Sequence, residues 1–477
     1  MATRTLPIPL SKGTYKNVYD EELSDFDARL IDCYVDDLGY TRKRPGLNLL
    51  KDVGSYLGVT TYPINGLYWW KNKTVALAVS YGKTLKIAYT SGYTTITDLT
   101  STNLAINSTP TFATDGTYAF IVKGGQILYT DGTASTAAIA DADAPTTVTH
   151  VDWMDGYLLA CGDGTNKFYW SDVNSSLSWN ALNYASAAGN ADPILALKVF
   201  QRQILLFGQN TLEVWENDGV NPFSRIAGGF HDVGISAPHS IIVSDQAIYW
   251  LSDTRRIMRF QNAQLSAAST PYDKDISGYT TVSDCRGFRC VIDGKTFLIF
   301  TFPSAEKTLV YSEVENKWHE WGYWDVGTAT RGRWLGNCLV WSPDWSLHIV
   351  GGRSGGLLYK MAPDYYNDNG NPIRLEKRTG FIDYGVKKAK RSEEIRFRAK
   401  RGIGGISRDP KLMFRWNTDN KGWNSFKDLS LGQEGESEIV MSLKRTGMFQ
   451  ARQYEIVVTD DVPVAFGDGE EDITILR

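Results

Sequence analysis

A chain of 477 residues with 44 Gly, 15 Trp, 25 Tyr and 19 Phe is too long for one ordinary core and reads as all-β, rich in turns and in aromatics that suit half-buried strands. A formal net charge of −4 and a pI near 5.9 argue against a protein that grips nucleic acid by its phosphates, which would carry a basic excess. Cys33, Cys161, Cys285, Cys290 and Cys338 are scattered, odd in number and without CxxC spacing, which argues against a disulfide framework and a zinc site and points to reduced thiols.

Residues 1–54 read as an N-terminal docking arm. The opening MATRTLPIPLSKG lacks the apolar core of a secretory signal, and no run in the chain approaches the ~18 apolar residues of a membrane span. Asp20, Glu21, Glu22, Asp25 and Asp27 form an acidic stretch. Leu23, Phe26, Leu30 and Ile31 recur within it at near-helical spacing, which suits a short amphipathic helix or an extended arm. Residues 31–35 read as a strand. Arg42, Lys43 and Arg44 then precede a Pro45-Gly46 turn. Three adjacent cations are a candidate contact for phosphate or an acidic partner; the plainer alternative is a solvated loop that balances Asp36 and Asp37.

Residues 55–365 are expected to form a propeller-like array of antiparallel blades. The clearest unit is 149–170, THVDWMDGYLLACGDGTNKFYW. Val151 and Trp153 alternate with polar neighbours, Asp155-Gly156 offers a tight turn, and Tyr157 to Cys161 is almost continuously apolar. Such a meander buries its apolar middle strand on both faces and its outer strands on one. The same grammar recurs at 112–129, 196–215, 240–260 and 288–311, with looser copies at 67–89 and 334–359. Turns at 115, 155, 202, 245 and 293 are spaced by roughly 40 to 48 residues, the interval of four-strand blades, and about seven units fit between 55 and 362. A plain β-sandwich is the alternative. Each buried Trp or Tyr removes about 150–250 Å² from water, on the order of 4–6 kcal/mol as an upper bound. Loops at 134–144 and 186–193, rich in small and polar residues, suit subunit contacts on a rim. Trp318, Trp321 and Trp324 cluster in KWHEWGYWDV as core, interface or a sugar-stacking platform.

Residues 366–477 read as a smaller C-terminal β-sandwich. Lys387, Lys388, Lys390, Arg391, Arg396 and Arg398 make a basic stretch, a candidate interface or polyanion-facing patch. In Glu394-Ile395-Arg396-Phe397-Arg398 the charges share one face of a strand and Ile395 and Phe397 point inward. The acidic run 468–472 lacks the spacing of a calcium loop and reads as solvent-facing.

No catalytic constellation emerges. His150, His231, His239, His319 and His348 are isolated, there is no HExxH and no GxSxG, and the glycine-rich 351–356 and 402–405 lack the Gly-Lys-Ser/Thr of a phosphate loop. The reading is a non-enzyme with no cofactor and no metal.

One stretch resembles a known family. NADPILALKVFQRQILLFGQNTLEVWEND at 190–218 carries Phe207-Gly208-x-x-Thr211-x-Glu213 after an Asp-Pro turn and an apolar strand. Upstream stands Trp179-Asn180-Ala181-Leu182-x-Tyr184-Ala185-Ser186-Ala187, and near the N-terminus Ile31-Asp32-Cys33-Tyr34 and Arg44-Pro45-Gly46-Leu47. In order and spacing these resemble the packaged-DNA stabilisation proteins, or tail accessory factors, of short-tailed bacteriophages, which commonly have Asn where this chain has Asp32. The resemblance implies a propeller plus a sandwich, six copies in a ring, and a place in the virion tail after assembly in the host cytoplasm. It implies a nozzle beneath the portal-side adaptor and above a needle, plug or tailspike, which retains packaged DNA and later lets double-stranded DNA pass without sequence-specific binding. The alternative reading is a carbohydrate-binding or glycan-cleaving propeller of the virion, prompted by the Trp-rich loops.

Overall fold

Two-residue turns set the strand spacing. At Asp155-Gly156 (φ +49° and +90°), Gln201-Arg202 (+49° and +61°) and Asp293-Gly294 (+50° and +78°) both central residues are left-handed. This is the hairpin geometry whose twist matches the flanking strands. It pairs Met154 with Tyr157, Phe200 with Gln203 and Ile292 with Lys295. The computed structural model describes residues 3–10, 28–90, 93–107, 109–187, 189, 192–219, 222–401, 409–433, 436 and 438–476. The acidic stretch from Asp20 to Asp27, with its near-helical spacing, and the Gly402-Ile403-Gly404-Gly405 turn lie outside these residues.

Among the described residues the meanders form seven four-stranded antiparallel units. They span 64–98, 111–138, 150–186, 194–231, 242–267, 286–320 and 336–362. We refer to them as blades 1 to 7. The second strand of a blade is apolar throughout because each of its faces packs against a different neighbour. In Tyr157–Cys161, Leu158 and Ala160 enter the core shared with blade 2, while Leu159 and Cys161 enter the core shared with blade 4. In Gln203–Gly208, Ile204 and Leu206 face blade 3, and Leu205 and Phe207 face blade 5. Period-two alternation therefore feeds two cores from one strand. A core of Val53, Ile64, Ala76, Ile349 and Leu358 joins blade 7 to blade 1 and closes the circle.

Blade 7 has only three strands of its own. Its fourth is Gly46–Asp52, which pairs antiparallel with Leu357–Ala362. The sequence pattern assigned this segment to the arm; it is the strand that fastens the first part of the chain to the last blade. Gly46 is required there by close approach: a Cβ would lie 2.3 Å from the Asn367 carbonyl oxygen and 2.7 Å from that of Tyr365.

Residues beyond 366 and the N-terminal arm build a second body from two sheets. One runs in the order Thr3–Ile8, Gly469–Ile475, Lys390–Arg401, Val464–Phe466, Thr41–Lys43 and Cys33–Val35, with Ile439–Phe449 also on Lys390–Arg401. The other contains Leu375–Arg378, Arg452–Val458, Lys411–Thr418 and Lys427–Ser430. They share one core that includes Leu30, Val35, Ile395, Phe397, Phe414, Tyr454 and Phe466. Arg29–Ile31 pairs in parallel with Lys317–Glu320 of blade 6 and antiparallel with Leu375–Arg378. One nine-stranded sheet thus passes from the propeller into the second body.

Gly46→Ala is expected to cost on the order of 1–3 kcal/mol through overpacking, read as a lower urea midpoint. Gly278→Ala, where a Cβ meets nothing within 4 Å, is expected to leave the midpoint in place.

Candidate functional site: a buried ionic junction and its flanking charges

Asp32 sits between Arg29–Ile31, which belongs to the sheet shared with blade 6, and Cys33–Val35, which belongs to the other sheet. Its φ of +53° is left-handed, a conformation that Asp and Asn tolerate better than other side chains. The chain switches sheets at this residue. Its carboxylate accepts from Arg44 Nε at 2.8 Å, from the Gly322 backbone N–H at 2.8 Å, and from Arg331 Nη1. Arg44 also donates a two-pronged pair to Asp368 at 2.9 and 2.6 Å and a bond to the Gly322 carbonyl at 2.8 Å. Its guanidinium lies 5.9 Å from the Trp321 ring. Arg331 continues the network to Glu376 at 3.0 Å. The arm, blade 6, the segment after blade 7 and the second body therefore meet at one set of charges.

Burial alone would lower the pKa of Arg44, but Asp368 and Asp32 outweigh it and hold the guanidinium charged. Burial raises the Asp368 carboxyl against the pull of Arg44. The ionised pair is nevertheless the state that satisfies both groups, because one planar fork meets one carboxylate. Burial also raises the Glu376 carboxyl, yet Arg331 and Arg374 bring it below its ordinary value.

The predicted cations do not form one surface. Arg44 is buried, as is Lys43, whose Nζ donates to the Asp460 carbonyl at 2.7 Å; neither can face a polyanion. Arg42 points outward from the same strand and pairs with Asp36 at 2.6 Å. Lys390 is buried and donates to the carbonyls of Val386, Lys388 and Gln450. Arg396 is held by Asp472 at 2.7 and 3.0 Å and by Glu394 at 3.0 Å. Arg391 pairs with Glu393 at 2.7 Å, and Arg398 approaches Glu438 at 3.9 Å. Lys387 and Lys388 are exposed. Ile395 and Phe397 face inward as their alternation predicts, but neighbouring strands set carboxylates against the outward arginines. The patch is largely self-neutralised.

The acidic run 468–472 is not simply solvent-facing. Glu471 is buried, pairs with Arg452 at 3.1 Å and accepts from Ser392 at 2.6 Å and Tyr384 at 2.9 Å. Asp468 accepts from the Leu10 N–H at 2.7 Å. Among the described residues no group of three or more His, Cys, Asp or Glu is arranged to hold a metal. Trp318 and Trp321 are buried and so offer no sugar-stacking face, while Trp324 lies 4.5 Å from the Arg374 guanidinium. The sequence signals missed at the junction are the short Asp side chain at a change of strand and the Arg-Pro-Gly that follows it.

Residues 7–366 match the family model described as bacteriophage P22 Gp10, beta-propeller. The chain belongs to this phage stabilisation family. Membership gives it a structural role in the phage tail, connected with DNA stabilisation. Solved structures similar to this family member include one of YCF48 bound to a D1 peptide, at 13% identity and TM-score 0.38, covering 64% of this chain and 93% of that one. The N-terminal domain of Nup159 follows at 9% identity and TM-score 0.41, covering 67% and 95%. The extracellular domain of BT4673 from B. thetaiotaomicron stands at 10% identity and TM-score 0.44, covering 87% and 60%. At these values the likenesses say nothing about function. No curated protein matches the chain.

Arg44→Met leaves two buried carboxylates short of a partner and is expected to cost about 3–5 kcal/mol in urea unfolding, whereas exposed Arg391→Gln stays within about 0.5 kcal/mol. A second expectation concerns acid. His319, buried beside the junction with Nδ1 3.1 Å from the Cys33 carbonyl, is pushed down by burial to about 3. The unfolded imidazole takes up a proton near pH 6.5 and the folded one does not. Stability tied to His319 is therefore complete above pH 6.5 and drains away as pH falls toward 3. His319→Gln is expected to remove about 1.4 kcal/mol per pH unit from the slope between pH 6 and 4, measured as urea-derived stability against pH.

Proposed function

We propose that this chain forms a ring-shaped nozzle of the phage tail, below the portal and its adaptor, which retains packaged DNA and serves as its exit channel. The observation that carries the reading is the family match across residues 7–366. The nine-stranded sheet and the Asp32 junction support it, because a part that transmits load between neighbours needs its two bodies fixed to each other. The charge distribution supports it too. A surface whose arginines are mostly paired with carboxylates, on a chain of net charge −4, lets DNA slide and does not hold it.

In this reading six copies close head-to-tail by rotation, with interfaces above ~2,000 Å² each. The partners are the adaptor on the portal side and a needle, plug or tailspike on the other, in a virion tail assembled in the host cytoplasm. Leu38 and Val314 suit contact with a neighbouring copy. They are 75% and 68% exposed, and each adjoins a carboxylate residue, Asp37 or Glu315, that binds Lys295.

Light scattering and negative-stain imaging are expected to find rings of six times the 53.3 kDa chain mass, alone or once adaptor complexes are supplied. The double variant Leu38→Asp and Val314→Asp is expected to yield folded monomers. A stable wild-type monomer that does not assemble even with adaptor present would falsify the nozzle.

A further inference from the structure

Six first strands and the segment just before that of blade 5 converge at the centre of the ring. There they enclose a cavity of about 330 Å³, lined among others by Asn65, Thr111, His150, Lys198, His239 and Arg286. At one mouth, where these strands begin, the lining is unusually rich in nitrogen. Arg286 opens the first strand of blade 6 and His150 that of blade 3; His239 lies just before blade 5. Lys123 is not part of the lining itself, but it follows Val122, the strand partner of Thr111, at the same end of the blades and lies within charge range of Arg286.

Several of these groups lack a partner. Arg286 Nη1, Lys123 Nζ and His150 Nε2 are buried and make no hydrogen bond within the protein. The His150 side chain is 5% exposed and its ring stacks on that of His239, with centroids 5.1 Å apart and planes 25° from parallel. His150 Nδ1 is engaged with the Thr149 hydroxyl at 2.9 Å, and the Pro238 carbonyl lies near the ring without a hydrogen bond of normal geometry, so Nε2 is only loosely satisfied. Lys123 and Arg286 lie close enough for their charges to repel. The opposing charges are Asp152, bound to Lys198 at 2.7 Å, and Asp284, near Arg286. With Lys198 neutralised by Asp152, and Asp284 facing Arg333 as well as Arg286, the Arg286 and Lys123 charges are left short of carboxylates in a place where unpaired N–H groups are costly.

We propose that this mouth binds a tetrahedral oxyanion of the phosphate type, held by Arg286 and Lys123 and by N–H donation from the His150 and His239 pair. An oxyanion supplies acceptors for each unpartnered donor and removes the repulsion between the two cations. Burial lowers both imidazoles, His239 to about 4, so at neutral pH each keeps one N–H to donate and adds no charge. A pocket of about 330 Å³ has room for one such anion together with water. A DNA duplex, whose major groove alone is about 12 Å wide, does not fit. The site belongs to one chain and does not depend on the nozzle reading.

The test uses the intact chain and inorganic phosphate. Thermal unfolding followed across phosphate concentrations is expected to show a midpoint that rises logarithmically with phosphate. Sodium chloride at matched ionic strength is expected to give no such rise. Titration calorimetry is expected to show at least a tenfold loss of phosphate affinity in Arg286→Gln. Lys123→Gln provides the same readout should Arg286→Gln not fold. Equal shifts with phosphate and chloride, or wild-type phosphate affinity in the folded variants, overturn the proposal. A 5′-phosphorylated oligonucleotide that binds where inorganic phosphate does not also overturns it, since the recognised group is then nucleic acid.

Discussion

One residue's backbone conformation holds the molecule together as a unit. Asp32 turns left-handed, and by doing so it sends the strand before it into the propeller's sheet and the strand after it into the opposite sheet of the second body. The carboxylate is then aimed at Arg44 and Arg331. Taking these charges out of water offsets most of what their attraction contributes. The network's value lies in geometry: an unpaired member is so unfavourable that the bodies have one admissible placement.

The propeller meets a different constraint. No blade can bury both faces alone, so each second strand is apolar on both sides and depends on two neighbours. Cores of this kind run round the circle, and the last is completed only when blade 7 meets blade 1. Charge is distributed by the same logic of shared burial. Glu471 and Arg452 are locked inside the second body, and Arg396 is spanned by carboxylates of adjacent strands. Among the described residues most arginines are thereby set against carboxylates, while Lys387 and Lys388 stay exposed.

What the sequence made legible was local. Asp-Gly turns, the middle strand at 157–161 and the alternation of Ile395 and Phe397 each state a short-range requirement in adjacent letters. The clasp at Gly46–Asp52 was not legible, because its partner strand begins at Leu357 and no nearby residue advertises that pairing. Arg44 was misjudged for a related reason. A run of three cations ordinarily faces water, and the residue that overrides this, Asp368, is 324 positions away. Trp318 and Trp321 stand near each other in the sequence for packing and not for display. The axial cluster illustrates the limit most sharply: four residues from four different blades or their approaches share no spacing, and only closure of the circle brings them together.

The clasp also dictates an order of events during synthesis. At about 5–20 residues per second, Gly46 leaves the ribosome some tens of seconds before Leu357 exists to receive it. Thr3–Ile8 waits longer still, since it pairs with Gly469–Ile475. Throughout that interval the nascent propeller has an open flank on blade 1 and an unmatched ribbon at its front end, both inviting mispairing. Gly46–Asp52 and Thr3–Ile8 thus find their places only after Leu357–Ala362 and Gly469–Ile475 have been made.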